Sequence, residues 1–173
     1  MNSTYNGLTK EITYKFSSIT WCENMVKWGE FNMILRRCAG GIVFYANKVL
    51  IVKNDKGEWT IPKGKISDSD IPSEVAPLKV KEEVAVDAKV LDMAGDTIYE
   101  FYSRTRQQKV CNAIVWYIME SDNTQYNVND ESIIEAGFFK VKDALDMLTH
   151  NREKSLVDIS YRKFKDLKKT GDR

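Results

Sequence analysis

The residues whose types and spacing could do chemistry lie between Trp59 and Glu83. A Trp59-Thr60-Ile61-Pro62-Lys63-Gly64-Lys65 segment is followed, after Asp70, by Lys79-Val80-Lys81-Glu82-Glu83. If the second stretch is helical, residues 79 and 83 share one face and residue 82 sits beside them. Carboxylates gathered on a helix face are hard oxygen ligands of the kind a divalent cation such as Mg²⁺ takes. Taken alone, a Lys/Glu run of this sort is also what an ordinary solvated helix face looks like. Other chemistries are excluded more firmly. His150 is the single histidine, so a histidine-rich metal centre is ruled out, and no Gly-x-Ser-x-Gly accompanies it. Cys22, Cys38 and Cys111 are widely spaced with no Cys-x-x-Cys pair, and read as buried thiols in a reducing cytoplasm rather than a disulfide frame or zinc site.

The elements that must position these residues can be read from pattern. The three prolines, Pro62, Pro72 and Pro77, cluster around one loop and one helix entrance. Met33–Ala46 and Lys48–Lys53 are rich in Ile, Val, Leu, Phe and Tyr and read as strands joined at Ala46-Asn47. Glu58–Ile61 is a short strand, and a helix is expected from about Ser73 to Val86. Pro77 should start that helix late or kink it, so Pro72 or Pro77 is expected in its first turn. Lys89–Ser103 and Lys109–Glu120 are long strands across the basic turn that holds Arg104 and Arg106. Ala136–Val141, a short helix at Lys142–Thr149 and an amphipathic helix at Ser155–Lys169 close the chain.

Residues 1–35 form a separate N-terminal extension, in which Ile19, Cys22 and Val26, with Trp21, Met25 and Trp28 alongside, predict an amphipathic helix ending at Gly29. That helix either packs on the domain of residues 36–173 or pairs two copies as a homodimer. With 26 Lys+Arg against 25 Asp+Glu in 173 residues, the net charge is +1. That balance argues against tight nucleic-acid binding beyond a local patch. The longest apolar run, Ala113–Met119, is too short to span a bilayer, so no membrane role is expected. Residues 1–16 lack the apolar core of a secretory signal, and the expected location is cytoplasmic.

The stretch from Gly64 to Val86 resembles the box of the Nudix hydrolase family, Gly-x5-Glu-x7-Arg-Glu-U-x-Glu-Glu-x-Gly-U with U a bulky aliphatic. Gly64, Val80, Glu82, Glu83 and Val86 match it without a gap. Asp70 stands for the first glutamate, Leu78 for the arginine, Lys79 for the adjoining glutamate and Ala85 for the last glycine. The lead-in Trp59, Ile61, Pro62, Lys63 and Gly64 is similar to the family's, as are Ala39-Gly40-Gly41 before an aliphatic run and Glu135-Ala-Gly-Phe138-Phe139 downstream. The resemblance implies an α/β fold, a Nudix-type α/β/α sandwich with a mixed sheet, here with N- and C-terminal helices added.

It also implies hydrolysis of nucleoside diphosphate-linked compounds, with Mg²⁺ or Mn²⁺ as cofactor if the site is active and none if it is not. Glu82 and Glu83 are then the metal ligands and, with Glu131 of a late loop, the catalytic candidates; Asp130 and Glu135 share that stretch. Lys63, Gly64 and Lys65, and from the hairpin Arg104 and Arg106, are the phosphate-binding candidates for a small nucleotide-like ligand. Tyr99, Phe101 and Trp116 could stack on a base, though alternating aromatics also pack sheets. Lys79 changes the site by two units of charge. At about 5 Å and a dielectric of about 20, one unit charge interacts with a dication by roughly 6–7 kcal/mol before screening. Weak hydrolysis is one expectation; a non-hydrolysing module that binds a nucleotide, RNA or a protein partner is the other.

Overall fold

The computed structural model describes residues 33–171. The proposed N-terminal helix with Trp21, Met25 and Trp28 lies outside them. In chain order the elements are β1 (Met33–Tyr45), β2 (Lys48–Asn54), β3 (Trp59–Thr60), β4 (Lys63–Lys65), α1 (Pro72–Val84), β5 (Lys89–Ser103), β6 (Gln108–Glu120), β7 (Ile133–Lys140), α2 (Val141–Met147) and α3 (Asn151–Gly171). Seven strands form one mixed sheet in the order β3-β2-β1-β6-β5, with β4 pairing β1 and β7 pairing β2. β1 and β6 run parallel from Met33↔Lys109 to Phe44↔Glu120, and every other pairing is antiparallel.

β1 is the hub because both of its faces are buried. Ala39 and Val43 point toward α1, where they meet Val80, Val84 and Met119. The alternating Cys38, Ile42 and Phe44 point the other way, toward Trp116, Val157 and Phe164. Period-two alternation with both faces covered explains why the strand reads as a nearly continuous apolar run. Its sheet edge is shared: residues 38–40 pair with β4, and Phe44 and Tyr45 pair with β2. At the fork the Gly41 amide donates to the Pro62 carbonyl at 3.1 Å. Crowding on the two faces here explains Gly40-Gly41, since a Cβ would come within 2.4 Å of the Trp116 ring at Gly40 and 2.6 Å of the Met119 sulfur at Gly41.

α1 has Pro72 in its first turn, as expected, and does not start late at Pro77. It opens at Pro72, after Ile71 as N-cap, and runs through Pro77 to Val84. Pro72 suits the first position because its missing N–H has no helical acceptor there. Pro77 removes one bond, that to the Ser73 carbonyl, which the burial of Ala76, Val80 and Val84 offsets. The helix ends at Ala85, in the left-handed region at φ 55°, with its amide donating to the Lys81 carbonyl. This is the position where the box carries glycine, which alone adopts that conformation without steric cost. α3 starts four residues earlier than its periodicity suggests, because the His150 carbonyl accepts the amides of Glu153 and Lys154. Arg152 and Glu153 thereby become helical residues. Among the described residues no helix is long and apolar enough to cross a membrane.

Candidate functional site

Lys79, Glu82 and Glu83 all lie on α1, but they face three different environments. The aliphatic stem of Lys79 lies over Gly64, where a Cβ would fall 2.5 Å from its Cδ. A side chain at residue 64 would displace the Lys79 stem packed on it. The Lys79 ammonium then pairs with Glu82 at 2.7 Å, and the Glu82 side chain is 63% exposed. Glu83 turns inward. The Lys63 amide donates to its carboxylate, and burial, reinforced by the charge of Asp130, pushes its pKa up to about 7 against the pull of Lys63 and Lys79. Its Oε2 is buried without a hydrogen-bond partner. A carboxyl poised there holds its proton about half of the time at neutral pH.

The late loop reaches the same place by its main chain. The amides of Asn129 and Asp130 donate to the Glu83 carbonyl at 3.0 and 3.4 Å, docking the loop on the last turn of α1. The Asp130 carboxylate accepts from the Ser132 hydroxyl and amide at 2.7 and 2.8 Å. Those bonds hold its pKa below the usual carboxylate range. The loop acid that acts on Glu83 is thus Asp130, whereas Glu131 is exposed in the turn beside it. The signal in the sequence is Asp130-x-Ser132, an Asx-turn pattern that fixes the aspartate. Glu135 is taken up elsewhere, 3.9 Å from Lys53.

The phosphate candidates separate as well. Gly64 sits opposite Ala39, so Lys63, opposite Gly40, projects to the other face of the sheet. There its ammonium donates to Thr60 Oγ1 at 2.8 Å and lies 3.7 Å from Glu153, while Thr60 donates to the same Glu153 oxygen at 2.8 Å. The Lys63 ammonium is engaged by Thr60 and α3, and its charge still acts on Glu83. Lys65 is exposed at the end of β4. Arg104 and Arg106 are not brought near Gly64. Their hairpin tip lies beyond the Met33↔Lys109 pair, and Ala39, the partner of Gly64, is six residues further along β1. That is about 20 Å of strand. Of the aromatics, Trp116 is buried with its indole N–H donating to Thr97. Tyr99 carries the Arg152 guanidinium 4.2 Å over its ring and accepts a bond from Asn112.

The donor set departs from what the divalent ion implied by the box requires. One of its three helical carboxylates is Lys79, the second is paired with that lysine in solvent, and the third is buried with a pKa of about 7. Among the described residues no group of three or more His, Cys, Asp or Glu side chains is placed to hold a metal. These residues do not fit a resident divalent cation.

Comparison with known proteins agrees with this architecture. The chain is similar in fold to the NUDIX domain of Shewanella oneidensis NrtR complexed with ADP ribose, at TM-score 0.60 and 15% identity over 86% of this chain and 99% of that one. It is similar to the MutT protein from Methanosarcina mazei at TM-score 0.59 and 16% identity, covering 78% and 98% of the two chains. A C. elegans Ap4A hydrolase matches at TM-score 0.56 and 13% identity, over 75% and 96%. At such identities the likeness speaks for the fold alone. The NUDIX domain family model matches residues 34–159, most of the chain and all of the elements from β1 to the first half of α3, so the protein belongs to the Nudix family.

Proposed function

We propose that this Nudix domain binds a small phosphorylated, nucleotide-like compound without a resident metal and hydrolyses it slowly or not at all. The observation that carries the reading is Lys79, whose stem covers Gly64 and whose ammonium takes Glu82 out of the set of free acids. A fixed cation in that place can meet a phosphate charge directly, which is work that a metal ion does elsewhere. The ligand class is supported by the similar NrtR domain, whose structure is a complex with ADP ribose. Residual hydrolysis is the second reading, favoured by Glu83: a buried carboxyl with a pKa of about 7 beside Asp130 is tuned for a general base. The near-neutral chain charge speaks against nucleic acid as the main ligand, and the buried cysteines Cys38 and Cys111, held as thiols, suit a reducing cytoplasm. A homodimer through the Trp21–Trp28 segment is compatible with this function.

The deciding experiment is calorimetric titration with ADP-ribose, first in EDTA and then with Mg²⁺ or Mn²⁺, together with an assay for released products. Saturable ADP-ribose binding in EDTA, with turnover at least a hundredfold below that of an intact-box enzyme assayed alongside, is expected. Turnover at the intact-box rate in Mg²⁺ would overturn the proposal.

A further inference from the structure

Three cross-strand neighbours form a row on the α3 side of the sheet. Arg36 on β1 lies opposite Asn112 on β6, which lies opposite Tyr99 on β5. Lys65 on β4 lies opposite Cys38, two residues along β1 from Arg36, so both cations project from one face with their Cα atoms about 8 Å apart. Burial raises the pKa of the Cys38 thiol on that face, and the charges of Arg36, Lys63 and Lys65 oppose the rise, so all three act on one place. Lys63 is engaged by Thr60 and Glu153, whereas among the described residues no hydrogen bond or ion pair takes up Arg36 or Lys65.

The row also holds an acceptor and an aromatic surface. Asn112 is 7% exposed; its amide nitrogen donates to the Tyr99 hydroxyl at 2.8 Å, and its Oδ1 is buried without a hydrogen-bond partner. A buried acceptor left without a donor is costly, and a ligand N–H that reaches it removes the cost. Its flanks in the row are Arg36 on one side and, on the other, Tyr99 with the Arg152 guanidinium 4.2 Å over its ring. Both guanidinium groups end long side chains that a ligand can displace. Phe101 follows Tyr99 on the same face, with ring centroids 6.2 Å apart, and is 37% exposed. Glu100, between the two aromatics in sequence, lies opposite Cys111 and projects to the other face. We infer that this sheet face seats a nucleotide with an amino-bearing base: the base stacks on Phe101 and gives an amino N–H to Asn112 Oδ1, while Arg36 and Lys65 hold the phosphate. The inference rests on the reading of the domain as a binder of phosphorylated, nucleotide-like compounds, and adds to it a class of base and two residues outside the box, Arg36 and Asn112.

The test uses AMP and IMP as probes, titrated calorimetrically into the full chain in EDTA at low salt. Wild type is expected to bind AMP at least fivefold more tightly than IMP, whose base carries an oxygen in place of the amino group. Arg36→Gln and Lys65→Gln are each expected to weaken AMP binding at least tenfold, and Phe101→Ser at least fivefold. Arg37→Gln removes the same charge from the opposite face and is expected to change the affinity less than twofold. Circular dichroism melts of each variant check that all of them fold. AMP affinity unchanged in Arg36→Gln and Lys65→Gln, an equal loss in Arg37→Gln, or equal affinity for IMP overturns the seat while leaving the domain a nucleotide binder. Turnover of ADP-ribose at the intact-box rate in Mg²⁺, with AMP still held through Arg36, keeps the seat and sinks the metal-free reading instead.

Discussion

Two lysine–glutamate pairs on opposite faces of the sheet differ in almost every way except chemical type. Lys79 and Glu82 meet at 2.7 Å on the α1 side, with the glutamate 63% exposed. Lys63 and Glu153 lie 3.7 Å apart on the α3 side, with the glutamate 8% exposed and Thr60 bridging them. The shorter pair is the weaker one. In solvent the Coulomb gain is screened, and two long side chains lose freedom to hold one geometry. In the buried pair, removal of one partner strands the other charge away from water, which is costly even where forming the pair gained little. The difference teaches that contact distance ranks these pairs in the wrong order and burial ranks them in the right one.

The largest expected effect follows from the buried side. Glu153→Ala should cost about 3 kcal/mol, because Lys63 keeps its charge under the Trp116 ring with only Thr60 and a carbonyl to receive it. Urea denaturation would measure this, and a loss below about 0.5 kcal/mol would equate the two pairs.

Glu83 carries the next effect, as a dependence on pH. Its pKa rises from 4.5 in the open chain to about 7 in the fold, so the folded protein holds a proton that the unfolded chain has released. Stability from this group is fully present below pH 4.5 and is lost as pH climbs through about 7. The shift corresponds to about 3 kcal/mol. Glu83→Gln should flatten that slope and leave the variant more stable than wild type at pH 8. A parallel pair of stability–pH curves would show that Glu83 ionises normally.

A smaller effect is expected on the α1 face. Leu78→Arg with Lys79→Glu restores the arginine and the missing acid of the box, and Mn²⁺ affinity measured by calorimetry should rise at least tenfold, about 1.4 kcal/mol. No change would mean that Pro77 misaims residue 79. Ala85→Gly should stabilise the domain by about 0.5 kcal/mol, relief of the left-handed strain being partly offset by the freedom glycine gains when unfolded. Last, Glu82→Gln should cost no more than about 0.5 kcal/mol, in contrast to Glu153→Ala, and equal costs would erase the comparison.

Much of this molecule was determined by its sequence alone, because much of it depends on neighbours in the chain. The period-two runs of β1 and β2, the Ala39-Gly40-Gly41 element, the Pro62-Lys63-Gly64 lead-in and the loss of the box arginine at Leu78 and of a box acid at Lys79 are all legible in the order of residues. Each expresses a local rule: alternation along a strand, or three- and four-residue spacing along a helix. The tertiary structure decided what those residues meet. Parity across one strand pair sent Lys63 to α3 and left Gly64 under Lys79. A loop docking on the end of α1 chose Asp130 over its neighbour Glu131. Thr60 found Glu153 across 93 residues of chain, and Arg36 came to share a sheet face with Lys65. Spacing fixes which side chains share a face, but the burial that sets a charge's energy comes from elements distant in sequence, and only their packing supplies it.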